Sequence, residues 1–224
     1  MVRTVMTRLL VGVVPCLGGL LFLSSLPAGA ASNVPAAARQ FSACVLSHQA
    51  GKNHKATLAE ARQCAPSNSR EVQASNIESG RDSVAAGETA VLVRKDGSAA
   101  LVGWSAGPDL VANIVSGCYN TWANPRPWGS SGVDYVQIDV HGYGNHCGYS
   151  DVPTTPSVYA TCYIPWCNAY NIEKGHYDSN QGAAWFNDQR AAGWANIYFN
   201  IGDTWFCRGY IDTNGNPNWP QWCS

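Results

Sequence analysis

Tyr159, Tyr163, Trp194, Asn196 and Tyr198 are the residues whose types and spacing best fit recognition chemistry. In 158–164, Tyr159, Thr161 and Tyr163 alternate with Val158, Ala160, Cys162 and Ile164. In 194–201, Trp194, Asn196, Tyr198 and Asn200 alternate with Ala195, Ile197, Phe199 and Ile201. A period of two places the two sets on opposite faces of a strand, one aliphatic and one mixing flat rings with amides and hydroxyls. Sugars present a C–H-rich ring face and a rim of hydroxyls, so such a face suits a polysaccharide or cell-surface glycan. By analogy with aromatic pairs, each stacked ring contributes roughly 0.5–1.5 kcal/mol. Two or three rings with hydrogen bonds then give a Kd of about micromolar to millimolar. These five residues form the expected ligand-binding set. Trp and Tyr also fill β cores, and they anchor protein interfaces. The second reading is therefore a protein-binding accessory subunit of a secreted assembly, or a secreted inhibitor.

Other constellations carry less chemistry. His141, His146 and Cys147, with His176, match no compact zinc spacing, and Cys147 is better used in a disulfide. Asp212-Thr213-Asn214-Gly215-Asn216 resembles the start of a calcium loop, but the twelfth position is Cys223 where an EF-hand needs Glu. No metal and no cofactor are expected. The carboxylates after Cys118 would permit a glycoside hydrolase, which needs two facing each other across a cleft. Sequence spacing does not establish such a pair, and no G-x-S-x-G motif is present. The hydrolase is a third reading; the expectation is a non-catalytic protein with no catalytic residue assigned.

The elements that must position these residues change character along the chain. All ten tyrosines, and every tryptophan except Trp104, lie from Cys118 onward. There Val136, Ile138 and Val140 oppose Tyr135, Gln137, Asp139 and His141, and further strands are expected at 182–187 and 204–212. Pro- and Gly-rich loops at 125–132, 153–156 and 215–220 separate them. The pattern predicts an antiparallel β-sandwich, jelly-roll-like, over 118–224, aliphatic faces inside. Before it, Phe41, Cys44, Val45 and His48 fall on one helical face, and Thr57-Leu58-Ala59-Glu60 reads as a capping box. These predict a small helical hairpin over 31–66. A polar linker follows at 67–87. Residues 88–117 read as a β-hairpin and connector, with Asp96-Gly97 turning it in the type I′ manner. The fold class is mainly β with a small helical N-terminal module.

Residues 1–30 have the layout of a secretory signal peptide: Arg3 and Arg8, an apolar run from Leu9 to Leu26, then Pro27 and Ala28-Gly29-Ala30. The expected location is secreted and extracellular, without a membrane after cleavage. In that compartment Cys44, Cys64, Cys118, Cys147, Cys162, Cys167, Cys207 and Cys223 should pair. A Cys44–Cys64 bond would pin the two helices. The last six cysteines allow fifteen connectivities; neighbour pairing, Cys118–Cys147, Cys162–Cys167 and Cys207–Cys223, is the expectation. The chain has 14 Lys and Arg against 15 Asp and Glu, a formal net charge of −1, which argues against nucleic acid and anionic membranes as partners.

The stretch Val158-Tyr159-Ala160-Thr161-Cys162-Tyr163-Ile164-Pro165, followed by Asn168-Ala169 and later by Gly193-Trp194 and Gly202, resembles the golvesin and xanthan-lyase carbohydrate-binding-like domains. The likeness covers about 50 residues of the 224. The interval from Trp194 to Gly202 is longer than in that family, and six cysteines are added. The resemblance implies a β-sandwich and non-catalytic glycan binding, and carries over no catalytic residue.

Overall fold

The computed structural model describes residues 34–106, 112–115, 118–145, 150–153, 155–177, 179–180, 191–211 and 221–224. Residues 1–30, the strand expected at 182–187, the Asp212 loop and the Cys118–Cys147 pair lie outside the described residues. The chain divides into two compact units, Met1–Val34 and Pro35–Ser224, and the second holds every element below.

Three helices, α1 (Ala36–His48), α2 (Leu58–Cys64) and α3 (Ala74–Glu78), precede or interrupt a mainly β chain. In order the strands are β1 (Arg70–Gln73), β2 (Thr89–Val93), β3 (Ala99–Ala106), β4 (Ala112–Val115), β5 (Cys118–Ala123), β6 (Pro125–Ser130), β7 (Asp134–Asp139), β8 (Gly142–Asn145) and β9 (Ser150–Pro153). They continue with β10 (Ser157–Cys162), β11 (Ala169–Tyr177), β12 (Ser179–Asn180), β13 (Ala191–Phe199), β14 (Thr204–Ile211) and β15 (Trp222–Cys223). Among the described residues these form a six-stranded sheet β1-β2-β3-β6-β7-β10, a four-stranded sheet β11-β13-β14-β15 and a five-stranded sheet β12-β9-β8-β5-β4. Pairing is antiparallel except for β1 with β2. None of the described helices is long and apolar enough to cross a membrane.

The helical segment forms for the reasons its sequence gives. The Thr57 side chain accepts from the Glu60 amide, and the Glu60 carboxylate accepts from the Thr57 amide at 2.8 Å, closing the capping box. Cys44 and Cys64 are bonded with their Cα atoms 5.5 Å apart, joining α1 to α2. The buried stripe of α1 is Ala38, Phe41, Ser42 and Val45, so the helix is rolled from the Phe41–Cys44–Val45–His48 face and His48 is exposed. Gly132 explains the fit. At φ +96° a Cβ there would come within 2.6 Å of Val45, so only glycine lets the helix close on the sheet.

Two local expectations change. The hairpin turn is not type I′, because Asp96 keeps a negative φ and only Gly97 is left-handed, at +82°. The Gly97 amide donates to the Arg94 carbonyl and the Arg94 amide to Ser98, a longer loop with glycine at the left-handed position. The stretch 67–87 holds β1, paired parallel with β2, and the short α3.

The six-stranded sheet is covered on both faces. Gly129 and Val136, cross-strand partners, face the four-stranded sheet, where Trp205 of β14 lies so close that a Cβ on Gly129 would meet it at 2.2 Å. Ser130 and Tyr135, the next pair, face the other way, and Ser42 of α1 reaches the Ser130 hydroxyl at 2.8 Å. Tyr135 and Gln137 were expected on an outward face; both are buried, because the Tyr135 hydroxyl donates to Gln137, which in turn donates to Asp139. A polar group satisfied in this way can be buried at little cost.

One charged cluster lies inside. Asp134 is wholly buried; its Oδ1 accepts from Ser131 Oγ at 2.7 Å and from Trp205 Nε1 at 3.0 Å, and the Asp203 charge acts on it. Asp203 Oδ1 accepts from Arg94 Nη1 at 2.6 Å, with Lys55 Nζ at 3.7 Å; Lys55 also pairs with Asp96 at 2.6 Å. The Arg94 guanidinium stacks 3.9 Å from the Trp205 ring centre. Burial opposes ionisation of Asp96, but the Lys55 and Ser98 hydrogen bonds outweigh it and hold that carboxyl below its ordinary range. Burial first, then the Asp203 charge, pushes Asp134 well up.

Candidate functional site

The five residues read as a ligand-binding set divide between two sheets. Tyr159 belongs to β10, the edge of the six-stranded sheet, where it pairs with Gln137 and meets the Tyr135 ring edge-on at 5.9 Å. Its side chain is therefore on the helix-covered side. Tyr163, just past β10, is partly buried beside Ser42 of α1, and burial pushes its phenol up to about 12. The structure does not join these two rings to the others.

Trp194, Asn196 and Tyr198 do come together, on one face of β13. The intervening Ala195, Ile197 and Phe199 are buried against the six-stranded sheet, which leaves the first three pointing outward. Their β11 partners across the ladder are Gly175, Glu173 and Asn171 in that order. The Trp194 indole lies over Gly175, where a Cβ would come within 2.9 Å of Cζ2, so the glycine admits the ring against the backbone. Tyr170 stands beside Tyr198 with ring centres 6.2 Å apart and planes inclined by 45°. It is 66% exposed, one of three large apolar side chains left open among the described residues, with Trp166 and Ile172. On the far side of β13 the same face continues into β14, whose Arg208 lies opposite Trp194 and sits over the rings of Phe206, Tyr210 and Trp222.

Polar groups sit among the rings. Glu173 accepts from Asn171 Nδ2, Asn196 Nδ2 and the Tyr198 hydroxyl, each at 3.4 Å. Desolvation, and then the neighbouring Glu173 carboxylate, raises the Tyr198 phenol above its ordinary value, so its hydroxyl remains a donor. The end of this sheet is braced. Cys162–Cys167 closes the turn that carries Trp166, Asn168 donates its amide to Asn200 Oδ1, and Asn200 Nδ2 donates to the Trp166 carbonyl. Cys207–Cys223 ties β14 to β15. Rigid strands and two crosslinks fix the rings before any ligand arrives, which lowers the ordering cost of binding.

Sequence reasoning missed Tyr170, Asn171 and Glu173. Residues 169–177 have no aliphatic face to mark a strand, and a register shift between Ala169 and Asn171 breaks the alternation that would have assigned Tyr170 a side. Between the two sheets, the edge strands β10 and β11 border a groove of about 520 Å³, lined by Val158, Tyr159, Ala160, Ile164 and Ile172 among others. Among the described residues, Cys44, His48 and Cys64 come close enough to hold a metal, but the two sulfurs are committed to their disulfide. Comparison with family models, curated proteins and solved structures gives no match.

Proposed function

We propose that this is an exported, non-catalytic glycan-binding protein, and that its ligand lies on the outer face of β11 and β13. The observation that carries the reading is the sharing of one outward strand face by Trp194, Asn196 and Tyr198, with Asn171, Glu173 and Tyr170 beside them. Rings supply surfaces for sugar C–H groups, and amides with a carboxylate bond the hydroxyl rim. Packing of the four-stranded on the six-stranded sheet supports a sandwich, the architecture such binding faces commonly occupy. Three disulfides among the described residues support a life in an oxidising, extracellular setting.

The test is retention on insoluble cellulose, chitin, peptidoglycan and xylan. Trp194→Ala and Tyr198→Ala are each expected to weaken binding about three- to tenfold, the value of one stacked ring. Tyr163→Ala is expected to lower the melting temperature and leave affinity for the glycan unchanged, since its ring is tucked against α1. Equal retention of wild type and the two face variants would overturn the platform. The exposed Trp166 and Tyr170 favour a second reading, a protein partner docked at the same end of the sheet. A stable complex in size-exclusion of native supernatant, with no retention on any glycan, would select it.

A further inference from the structure

Glu173 is an odd group to find in the middle of an aromatic face. Its three hydrogen-bond partners are neutral, and at 3.4 Å each is longer than the usual 2.7–3.2 Å range. They orient the carboxylate without saturating it. Among the described residues it has no cationic partner. Lys174 points to the opposite side of β11, and Arg208 lies one strand beyond β13, held over Phe206, Tyr210 and Trp222. The group also shares its face with aromatic rings. Tyr198 donates to it, Tyr170 adjoins Tyr198, and Trp194 lies next along the strand from Asn196. A face that carries a carboxylate together with Tyr and Trp attracts cations by the charge and by the ring faces.

We propose that the ligand of this face is an amino-sugar polymer with free amines, a glucosamine-type chain, its ammonium on Glu173 and a ring face on Tyr198. The inference rests on the glycan-binding reading above and narrows it to one substrate class. A neutral sugar would offer Glu173 only a hydroxyl, a hydrogen bond with one charged partner, whereas an ammonium adds the attraction of a second, opposite charge. An acidic polysaccharide would be repelled. An N-acetylated chain keeps the ring face but replaces the ammonium with a neutral amide, so it isolates the charge.

Titration calorimetry at low salt compares fully deacetylated glucosamine oligomers, the same oligomers N-acetylated, cello-oligomers of equal length, and a lysine homopeptide of matched charge. The deacetylated oligomers are expected to bind about two- to fivefold more tightly than the acetylated ones, the value of one exposed ion pair. That preference should shrink as rising pH removes the amine proton and as salt screens the pair. Glu173→Gln is expected to abolish the preference while leaving the melting temperature unchanged, because the side chain is exposed. Equal affinity for both oligomers, or an undiminished preference in Glu173→Gln, overturns the amino-sugar assignment and leaves glycan binding standing. Lysine-peptide binding as tight as the oligomers overturns it as well, by showing a site that reads charge alone. No binding to any sugar overturns the glycan-binding reading itself.

Discussion

Trp205→Ala is expected to cost about 3–5 kcal/mol of folding stability, the range for deleting a buried large aromatic. A domain of this kind has a total stability of about 5–15 kcal/mol. Trp205 is wholly buried where three elements meet. Its ring fills the space that Gly129 leaves open in β6, where even one added carbon would collide at 2.2 Å. Arg94 lies 3.9 Å above its centre, and its Nε1 donates to Asp134 at 3.0 Å. Alanine would thus remove a ring, one face of the setting that lets a guanidinium be buried, and one donor to a buried carboxyl. Trp205→Phe separates these effects. It keeps most of the ring against Gly129 and loses the N–H, so about 1–3 kcal/mol is expected, the cost of a buried acceptor left short of a partner. Urea midpoints with the disulfides kept oxidised measure both variants. An alanine variant within about 1 kcal/mol of wild type, near the ordinary effect of a point mutation, would show that the two sheets close without this ring.

Much of the β architecture was legible because alternation is a local property. Val158–Ile164 and Trp194–Ile201 were read as strands from their aliphatic residues, and β10 and β13 lie there with Ala195, Ile197 and Phe199 inside. The capping box at Thr57 was equally local, and so was the short reach from Cys44 to Cys64. The neighbour pairings of Cys162 with Cys167 and of Cys207 with Cys223 also occur.

Pairing between strands is a long-range property, and there the sequence was silent. β10 pairs with β7 in one sheet while β13 pairs with β11 and β14 in another. Two strands with the same ring-bearing pattern therefore present their rings to different surroundings, Tyr159 beside Tyr135 and Tyr198 beside Tyr170. Polarity misled for a related reason. Tyr135 and Gln137 look like surface residues until their mutual hydrogen bond makes burial tolerable. The charged residues that shape the interior, Arg94, Asp134 and Asp203, come from a hairpin turn, a strand start and another turn. No spacing rule links positions so far apart in the chain.

Asp134→Asn is expected to change how stability responds to pH, and the direction follows from the geometry. Two cations, Lys55 and Arg94, face Asp203 and Asp96, so the cluster is balanced only while Asp134 carries its proton. The second oxygen of Asp134 has no hydrogen-bond donor, and burial together with the neighbouring Asp203 charge keeps its proton on. An unfolded aspartate releases its proton near pH 4, whereas the folded Asp134 holds it to a higher pH. Between those two values the folded state binds more protons than the unfolded state, so stability falls as pH rises, by up to about 1.4 kcal/mol per pH unit. The carboxyls held low, at Glu60, Glu71, Asp82 and Asp96, act in the opposite sense and only in acid, where stability is lost as pH falls through their folded values. Above about pH 5 they are ionised in both states, which isolates the Asp134 contribution. Asparagine reproduces the protonated geometry, since its oxygen can accept from Ser131 and Trp205. Urea midpoints from pH 5 to 8 should fall for wild type and stay level for Asp134→Asn, with the variant the more stable at the alkaline end. Parallel curves for the two proteins would mean that Asp134 is ionised in the fold and that the cluster is balanced by some other arrangement.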